Sequence, residues 1–257
     1  MAFSLTILGS NSAIPILNRN PSAHLLTVNE RLFLIDCAEG TQLQLRKFHI
    51  KFQRISRIFI THLHGDHYFG VIGLLNTFHL LGRKEQLYLY GPPMLKEIIE
   101  LQMETSMTVL NYPLIFHLVS SDKYNLIHED DNVTVHSFPL VHSVPTCGFI
   151  FHEKKKEPRS YAYCSDTAYT ESIIPYIGGC DLLYHETTFM HGMAVVAQEK
   201  FHSTTIEAAA VALKAKVKKL VIGHFSARYE DLQPLLDEAR TVFQETYLAE
   251  DGEIFQI

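Results

Sequence analysis

The segment His62-x-His64-x-Asp66-His67 packs four potential metal ligands into six residues, between an apolar run at 57–61 and a stretch at 68–81 with apolar residues at helical spacing. Side chains at i and i+2 of a strand end project to the same side, so His62 and His64 can hold one cation. Asp66 and His67 fall in the turn that leads into the helix and can hold a second cation close by. Imidazole and carboxylate together suit zinc and also admit Mn2+ or Fe2+. A two-cation site needs more ligands than this loop supplies, so the fold must bring other segment ends to it. The candidates sit where apolar runs stop: His142 after 138–141, Asp166 after 161–165 and His224 after 220–223. A carboxylate has two oxygens, and Asp166 is the natural bridge between two histidine-rich half-sites.

The rest of the chain is compatible with such a scaffold. Of 257 residues 47% are hydrophobic and 19% charged, a globular composition, and 22 Lys+Arg against 28 Asp+Glu give a net charge of −6. Repeats, low-complexity tracts and Gly/Ser-rich linkers are absent from the sequence, so a single domain over 1–257 is expected. No apolar stretch approaches the ~18–20 residues of a membrane span, and the first nine residues carry no secretory pattern. Four scattered cysteines, Cys37, Cys147, Cys164 and Cys180, lack any C-x-x-C spacing. They point to a reducing compartment, expected to be the cytoplasm, rather than to disulfides.

Apolar patterning predicts strands at 4–8, 24–28, 32–36, 57–61, 86–90, 114–119, 133–136, 148–152, 161–164, 181–185 and 219–223, and a final strand around the Asp251-Gly252 turn. It predicts helices at 68–81, 94–107, 205–216 and 232–243. Thr204 with Glu207 reads as a capping box in front of the 205–216 helix. Strand-rich stretches followed by helix-bearing ones occur twice, which suits two sheets packed face to face with helices outside, an α/β fold in four layers.

Taken in order, His62-x-His64-x-Asp66-His67, His142, Ser165-Asp166-Thr167 and Gly223-His224-Phe225 resemble the metallo-β-lactamase superfamily. Ile35-Asp36-Cys37-Ala38-Glu39-Gly40-Thr41-Gln42, His185-Glu186-Thr187-Thr188-Phe189, His202-Ser203-Thr204 and His224-Phe225-Ser226-Ala227-Arg228-Tyr229 narrow the resemblance to ribonuclease Z, the endonuclease that trims tRNA 3′ ends. It covers nearly the whole chain. It implies the αββα sandwich, two zinc ions per subunit, precursor tRNA as substrate and a homodimer. By position, His62, His64 and His142 would hold one zinc, Asp66, His67 and His224 the other, with Asp166 bridging. Two such ions can lower the pKa of a water and clamp both sides of a phosphodiester. Asp66 would orient the water, and His202 would protonate the leaving ribose 3′-oxygen with Glu186 behind it. Arg228 would bind a substrate phosphate.

Three segments bear on the nucleic acid. The stretch from Arg46 to Arg57 carries five basic residues and no acidic one, and would favour phosphates if it lay near the site. Pro15-Ile16-Leu17-Asn18-Arg19-Asn20 resembles a family loop, P-x-K-x-R-N, implicated in reading the tRNA end. Leu17 replaces its lysine, while Arg19 and Asn20 remain. The family's long tRNA-gripping arm lies between Phe149 and Ser165, and only a short hairpin at 150–164 is expected here. The short hairpin leaves open a second reading, hydrolysis of small phosphodiesters or esters without tRNA specificity.

Overall fold

The computed structural model describes residues 3–257. Its first half contributes strands β1 (Phe3–Gly9), β2 (Ala23–Val28), β3 (Arg31–Ile35), β4 (Ile55–Phe59), β5 (Leu87–Gly91) and β6 (Leu114–Leu118). The second contributes β7 (Asn125–Glu129), β8 (Val133–Pro139), β9 (Cys147–Glu153), β10 (Ser160–Cys164), β11 (Leu182–Glu186), β12 (Leu220–Gly223) and β13 (Thr246–Leu248), after which β14 (Ile254–Gln256) returns to pair with β1. The helices are α1 (Thr41–Lys47), α2 (Gly65–Tyr68), α3 (Gly70–Leu80), α4 (Met94–Thr105), α5 (Ile174–Ile177), α6 (Ala194–Glu199), α7 (Thr205–Ala215) and α8 (Gln233–Arg240).

The strands form two seven-stranded sheets, ordered β14-β1-β2-β3-β4-β5-β6 and β13-β12-β11-β10-β9-β8-β7. Each sheet is antiparallel on one side and parallel on the other: β3 to β6 run parallel in the first, and β10 to β13 in the second. Three apolar interfaces account for four layers. Phe3, Leu5, Phe33, Phe59, Phe149, Tyr161 and Tyr163 fill the space between the sheets. Leu34, Ile58, Val71, Leu74, Phe78 and Leu95 seal the first sheet against its helices. Ile150, Ala162, Leu183, Ala209, Ala212 and Leu235 do the same for the second. Burial on both faces explains why the central strands read as nearly continuous apolar runs rather than alternating ones.

Parallel strands deliver their carboxyl ends to one edge, where open α/β sheets place their ligands. Asp36 follows β3, His62 follows β4, Asp166 follows β10 and His224 follows β12, all at that edge. The expected 68–81 helix is split into α2 and α3 at Phe69. The break lets the loop dock on the end of β3: Cys37 N donates to the His67 carbonyl (2.8 Å) and Gly70 N to that of Cys37 (2.9 Å). A Cβ on Gly70 would lie 2.0 Å from the Ala38 carbonyl oxygen, so only glycine permits this approach. The capping box is present, with Glu207 N donating to the Thr204 hydroxyl and the Glu207 carboxylate accepting from Thr204 N.

The basic stretch from Arg46 to Arg57 lies elsewhere than near the site. It crosses from the last turn of α1 to the start of β4, and that strand runs from there toward His62. At about 3.3 Å per residue, Ile55 and His62 are separated by roughly 20 Å. Its cations are also engaged locally: Arg54 donates to the Glu30 carbonyl, and Arg57 lies over the rings of Phe33 and Tyr88.

β9 and β10 are joined by the six residues 154–159, and Glu153 at the base of the turn pairs with Arg159 (2.7 Å) and Lys155 (2.9 Å). The four cysteines are buried and free. Among the described residues no helix is long and apolar enough to cross a membrane.

Candidate metal centre

The loop after β4 and the strand ends of the second sheet meet in one cluster. Ligand atoms of His62, His64, His142 and Asp166 all lie within 4.8 Å of one another, as do those of Asp66, His67, Asp166 and His224. Asp166 divides the two groups. Its Oδ2 lies 3.6 Å from His62 Nε2 and from His142 Nε2, while its Oδ1 lies 3.2 Å from His67 Nε2 and 3.1 Å from His224 Nε2. Asp66 Oδ2 completes the second group, 3.5 Å from His67 Nε2 and 3.4 Å from His224 Nε2. His64 turns its Nδ1 to within 3.2 Å of His142 Nε2.

This donor set fits divalent cations on three counts. His62 Nε2 and His67 Nε2 are buried and have no hydrogen-bond partner, although a buried polar atom ordinarily has one. The converging groups are imidazoles and carboxylates, the set that suits zinc and related ions. Finally, the field favours positive charge. Burial would keep His67 neutral, yet the carboxylates of Asp166, Asp36 and Asp66 hold its pKa well above the ordinary value. Burial by itself would raise Asp166, but His224, His67 and His62 around it hold it well below the usual carboxylate range.

The far nitrogens of four ligands are held by outer contacts, which fix the rings. His67 Nδ1 donates to Asp36 Oδ2 (2.7 Å), and His62 Nδ1 meets the Thr61 hydroxyl (3.0 Å). His142 Nδ1 donates to the Phe201 carbonyl (3.0 Å), and His224 Nδ1 meets the Thr188 hydroxyl (3.0 Å). Asp36, fully buried, also accepts from Thr61 N (2.9 Å) and from the Tyr163 hydroxyl (2.9 Å). It thereby ties β3, β4 and β10 together beneath the ligands. Asp66 Oδ2 accepts from Ala13 N (2.9 Å).

His202 stands beside the cluster, its ring centroid 5.3 Å from that of His142 and 5.5 Å from that of His224. Its Nδ1 is 2.8 Å from Glu186 Oε1. Glu186 is buried and further collects the backbone N–H groups of Thr167, Thr188 and Ser203. Burial works against a charged His202, but Glu186 outweighs it and pushes the imidazole up to about 9. An acid loaded at neutral pH results, with Nε2 as its free nitrogen. Arg228 is exposed, lies 5.1 Å over the Phe189 ring and lines the same 380 Å³ cavity as His64, Asp66, His142 and His202.

Arg19 and Asn20 do not line that cavity. Arg19 is only 8% exposed and donates to the Tyr229 carbonyl (2.6 Å). Asn20 donates through its backbone and side chain to Asp251 Oδ2 (2.8 and 3.0 Å). The half-buried Asp251 carboxylate accepts from this loop, which turns inward to supply donors. The structure thus gives these two residues a loop-fixing contact where substrate contact was expected.

Asp36, Thr61 and Thr188 are functional contacts that spacing arguments overlooked. A sequence signal for Asp36 was available, since an aspartate closing an apolar strand needs buried donors; in the structure its φ of 53° places it in a tight turn.

Comparison with known proteins places this arrangement. Ribonuclease Z of Parabacteroides distasonis is 40% identical over 296 aligned positions, covering 97% of each chain. That of Azobacteroides pseudotrichonymphae is 41% identical over 285, covering 99% of each. Both alignments are longer than the present 257 residues, so the relatives carry segments this chain lacks. The crystal structure of human tRNase Z, short form, superposes with a TM-score of 0.86 at 34% identity over 98% of each chain. The family described as Anti-Pycsar protein Apyc1 matches residues 3–248. The fold, the seven converging histidine and aspartate side chains and these matches together place the chain in the ribonuclease Z family on the metallo-β-lactamase fold, and within the family described as Anti-Pycsar protein Apyc1.

Proposed function

We propose that this chain is the endoribonuclease that removes 3′ trailers from precursor tRNA, leaving a 3′-hydroxyl on the tRNA. The observation that carries the reading is Asp166, whose two oxygens face two separate ligand groups. His62, His64 and His142 would hold one zinc ion and Asp66, His67 and His224 the other, with Asp166 available to both. The bound cations supply Lewis acidity, activating water and neutralising phosphoryl charge. The chain's own groups do the rest. Asp66, steadied by the Ala13 N–H, orients the attacking water and takes its proton. His202, charged by its contact with Glu186, delivers a proton from Nε2 to the leaving ribose oxygen. Arg228 at the cavity rim pairs with a substrate phosphate. A homodimer in the cytoplasm completes the reading, as does a single domain over 1–257 in which 150–164 is a short hairpin in place of an arm.

The test is incubation with a 3′-extended tRNA, with and without chelator, and with Asp166→Ala. A single chelator-sensitive cut after the discriminator nucleotide, lost in the variant, is expected. Intact substrate under both conditions refutes the reading. The six-residue turn between β9 and β10 favours a second reading, a phosphodiesterase acting on small diesters. Turnover of a chromogenic diester that excess tRNA leaves untouched would select it.

A further inference from the structure

His202 is a wall shared by two cavities. One is the ligand-side cavity that Arg228 also lines; the other, of 490 Å³, lies against Val141, Ala168, Tyr169, Val195 and Phe201. Apolar and aromatic side chains make up most of the second, with Gln198, Glu207 and His202 among them, whereas the candidate ligands face the first. Val141, Tyr169, Val195 and Phe201 are 43, 38, 71 and 41% exposed, an unusual gathering of open hydrophobic side chains next to a charged centre.

Two of these residues are held in place. The Tyr169 hydroxyl donates to Glu171 Oε1 (2.7 Å) and accepts from Lys214 Nζ (3.1 Å), which fixes its ring as a wall. Phe201 has φ 57°, a conformation that favours glycine, and its carbonyl accepts from His142 Nδ1. Any residue offers that carbonyl, and glycine would offer it without strain. An exposed phenyl ring at such a position needs another reason.

We propose that this cavity binds the nucleobase of the nucleoside whose 3′-oxygen leaves. The inference rests on the ribonuclease reading given above. In-line displacement puts the leaving oxygen on the side of phosphorus away from the attacking water, hence beside the proton donor. The ribose bearing that oxygen must follow His202, and its base then enters the space His202 borders. The carboxylate lining this cavity, Glu207, is turned to cap α7 and accepts from Thr204 N (2.8 Å). A flat neutral ring suits the aromatic wall, and a phosphate does not. Stacking of a base on an aromatic side chain corresponds to about 5- to 150-fold in binding and is indifferent to base identity.

The experiment compares a 3′-extended tRNA with the same molecule carrying an abasic ribose immediately 5′ of the scissile phosphate. Wild type is expected to lose at least tenfold in kcat/KM on the abasic substrate. Phe201→Gly keeps the carbonyl to His142 and relieves the backbone, so it should melt no lower than wild type while losing the discrimination; Tyr169→Ala should lose it too. As a readout independent of cleavage, 2-aminopurine at that nucleoside should be quenched on binding chelator-treated protein and less so by Phe201→Gly. Equal cleavage of both substrates by wild type, or discrimination intact in a folded Phe201→Gly, overturns the pocket and leaves the ribonuclease reading standing. If neither substrate is cut, the ribonuclease reading falls and the quench decides alone: no quench, or a quench that survives Phe201→Gly, overturns the pocket.

Discussion

Asp36→Asn separates the work of the outer carboxylate from that of the ligands. The carboxylate accepts at Oδ1 from Thr61 N and at Oδ2 from His67 Nδ1 and the Tyr163 hydroxyl. An amide of the same shape keeps one acceptor. Thr61 N–H is a buried backbone donor with no alternative, so the amide oxygen stays with it and the NH2 turns toward His67. His67 Nδ1 must then accept, which moves its proton to Nε2, the atom 3.2 Å from Asp166 Oδ1. A protonated Nε2 cannot ligate a cation. The Tyr163 hydroxyl rotates and accepts instead, so the fold loses only about 1–2 kcal/mol.

Loss of such an outer partner typically weakens metal binding by about 10- to 100-fold, or roughly 1.4–2.7 kcal/mol. The loss should fall on one half of the site. His62 is fixed through the Thr61 hydroxyl, which donates to Asp36 Oδ1 (3.1 Å) and can still donate to the amide oxygen there, and His142 is fixed through the Phe201 carbonyl, which Asp36 does not touch. Competition of zinc between the protein and a fluorescent chelator should resolve two classes of ion in wild type and show only one class weakened in Asp36→Asn. Denaturant melts would confirm a folded variant. Unchanged affinity of both classes in that variant would refute the tautomer argument.

His202→Ala should lower the rate with precursor tRNA by about 10²–10⁴-fold and hardly affect an ester whose leaving group is p-nitrophenol, which needs no proton. Because its folded pKa is raised to about 9, His202 contributes stability that is full below the unfolded value of 6.5. That contribution should fade as pH rises through 9, which urea melts between pH 6 and 10 would register. His24 acts in the opposite direction. Burial between Tyr163 and Tyr184 depresses it to about 3, so wild type should lose stability as pH falls below 6.5, at up to about 1.4 kcal/mol per unit. His24→Phe should flatten that slope in acid titrations. Thr204→Ala removes a cap of about 1 kcal/mol and should lower Tm by about 2–4 °C without altering zinc affinity measured by chelator competition.

The sequence made the apolar strands legible because central strands buried on both faces form unbroken Val/Ile/Leu/Phe runs, as at 220–222 and 32–35. It concealed β7, an edge strand whose five residues are half-buried or exposed and so carry little pattern. It concealed α1 as well, which buries only Thr41, Gln44 and Leu45 and has no side-chain cap. In the site, the residues at the ends of apolar runs were legible from placement alone. The contacts that hold Arg19 and Asn20, with the Tyr229 carbonyl and with Asp251, lie more than two hundred residues away and leave no local trace. The basic stretch could not be placed from sequence for a related reason, since charge density along a chain says nothing about which end of a strand it occupies.

The two sheets divide the chemistry between them, and the division follows from strand direction. The first half ends its parallel strands in Asp36 and in the His62–His67 loop, which together supply histidines that need a negative counterpart. The second half ends its own in Asp166, Glu186 and His224, supplying the carboxylate shared by both candidate ligand groups and the carboxylate paired with His202. Neither half holds a complete ligand group, because Asp166 belongs to both groups and lies on the second sheet. Cation binding therefore stabilises the packing of the halves as well as the site, by the free energy of binding to the assembled state alone. A protein built this way should gain cooperativity across its sheet interface when loaded. The aromatic layer of Phe33, Phe59, Phe149 and Tyr163 between the sheets is where a misfit would be felt at the ligands first.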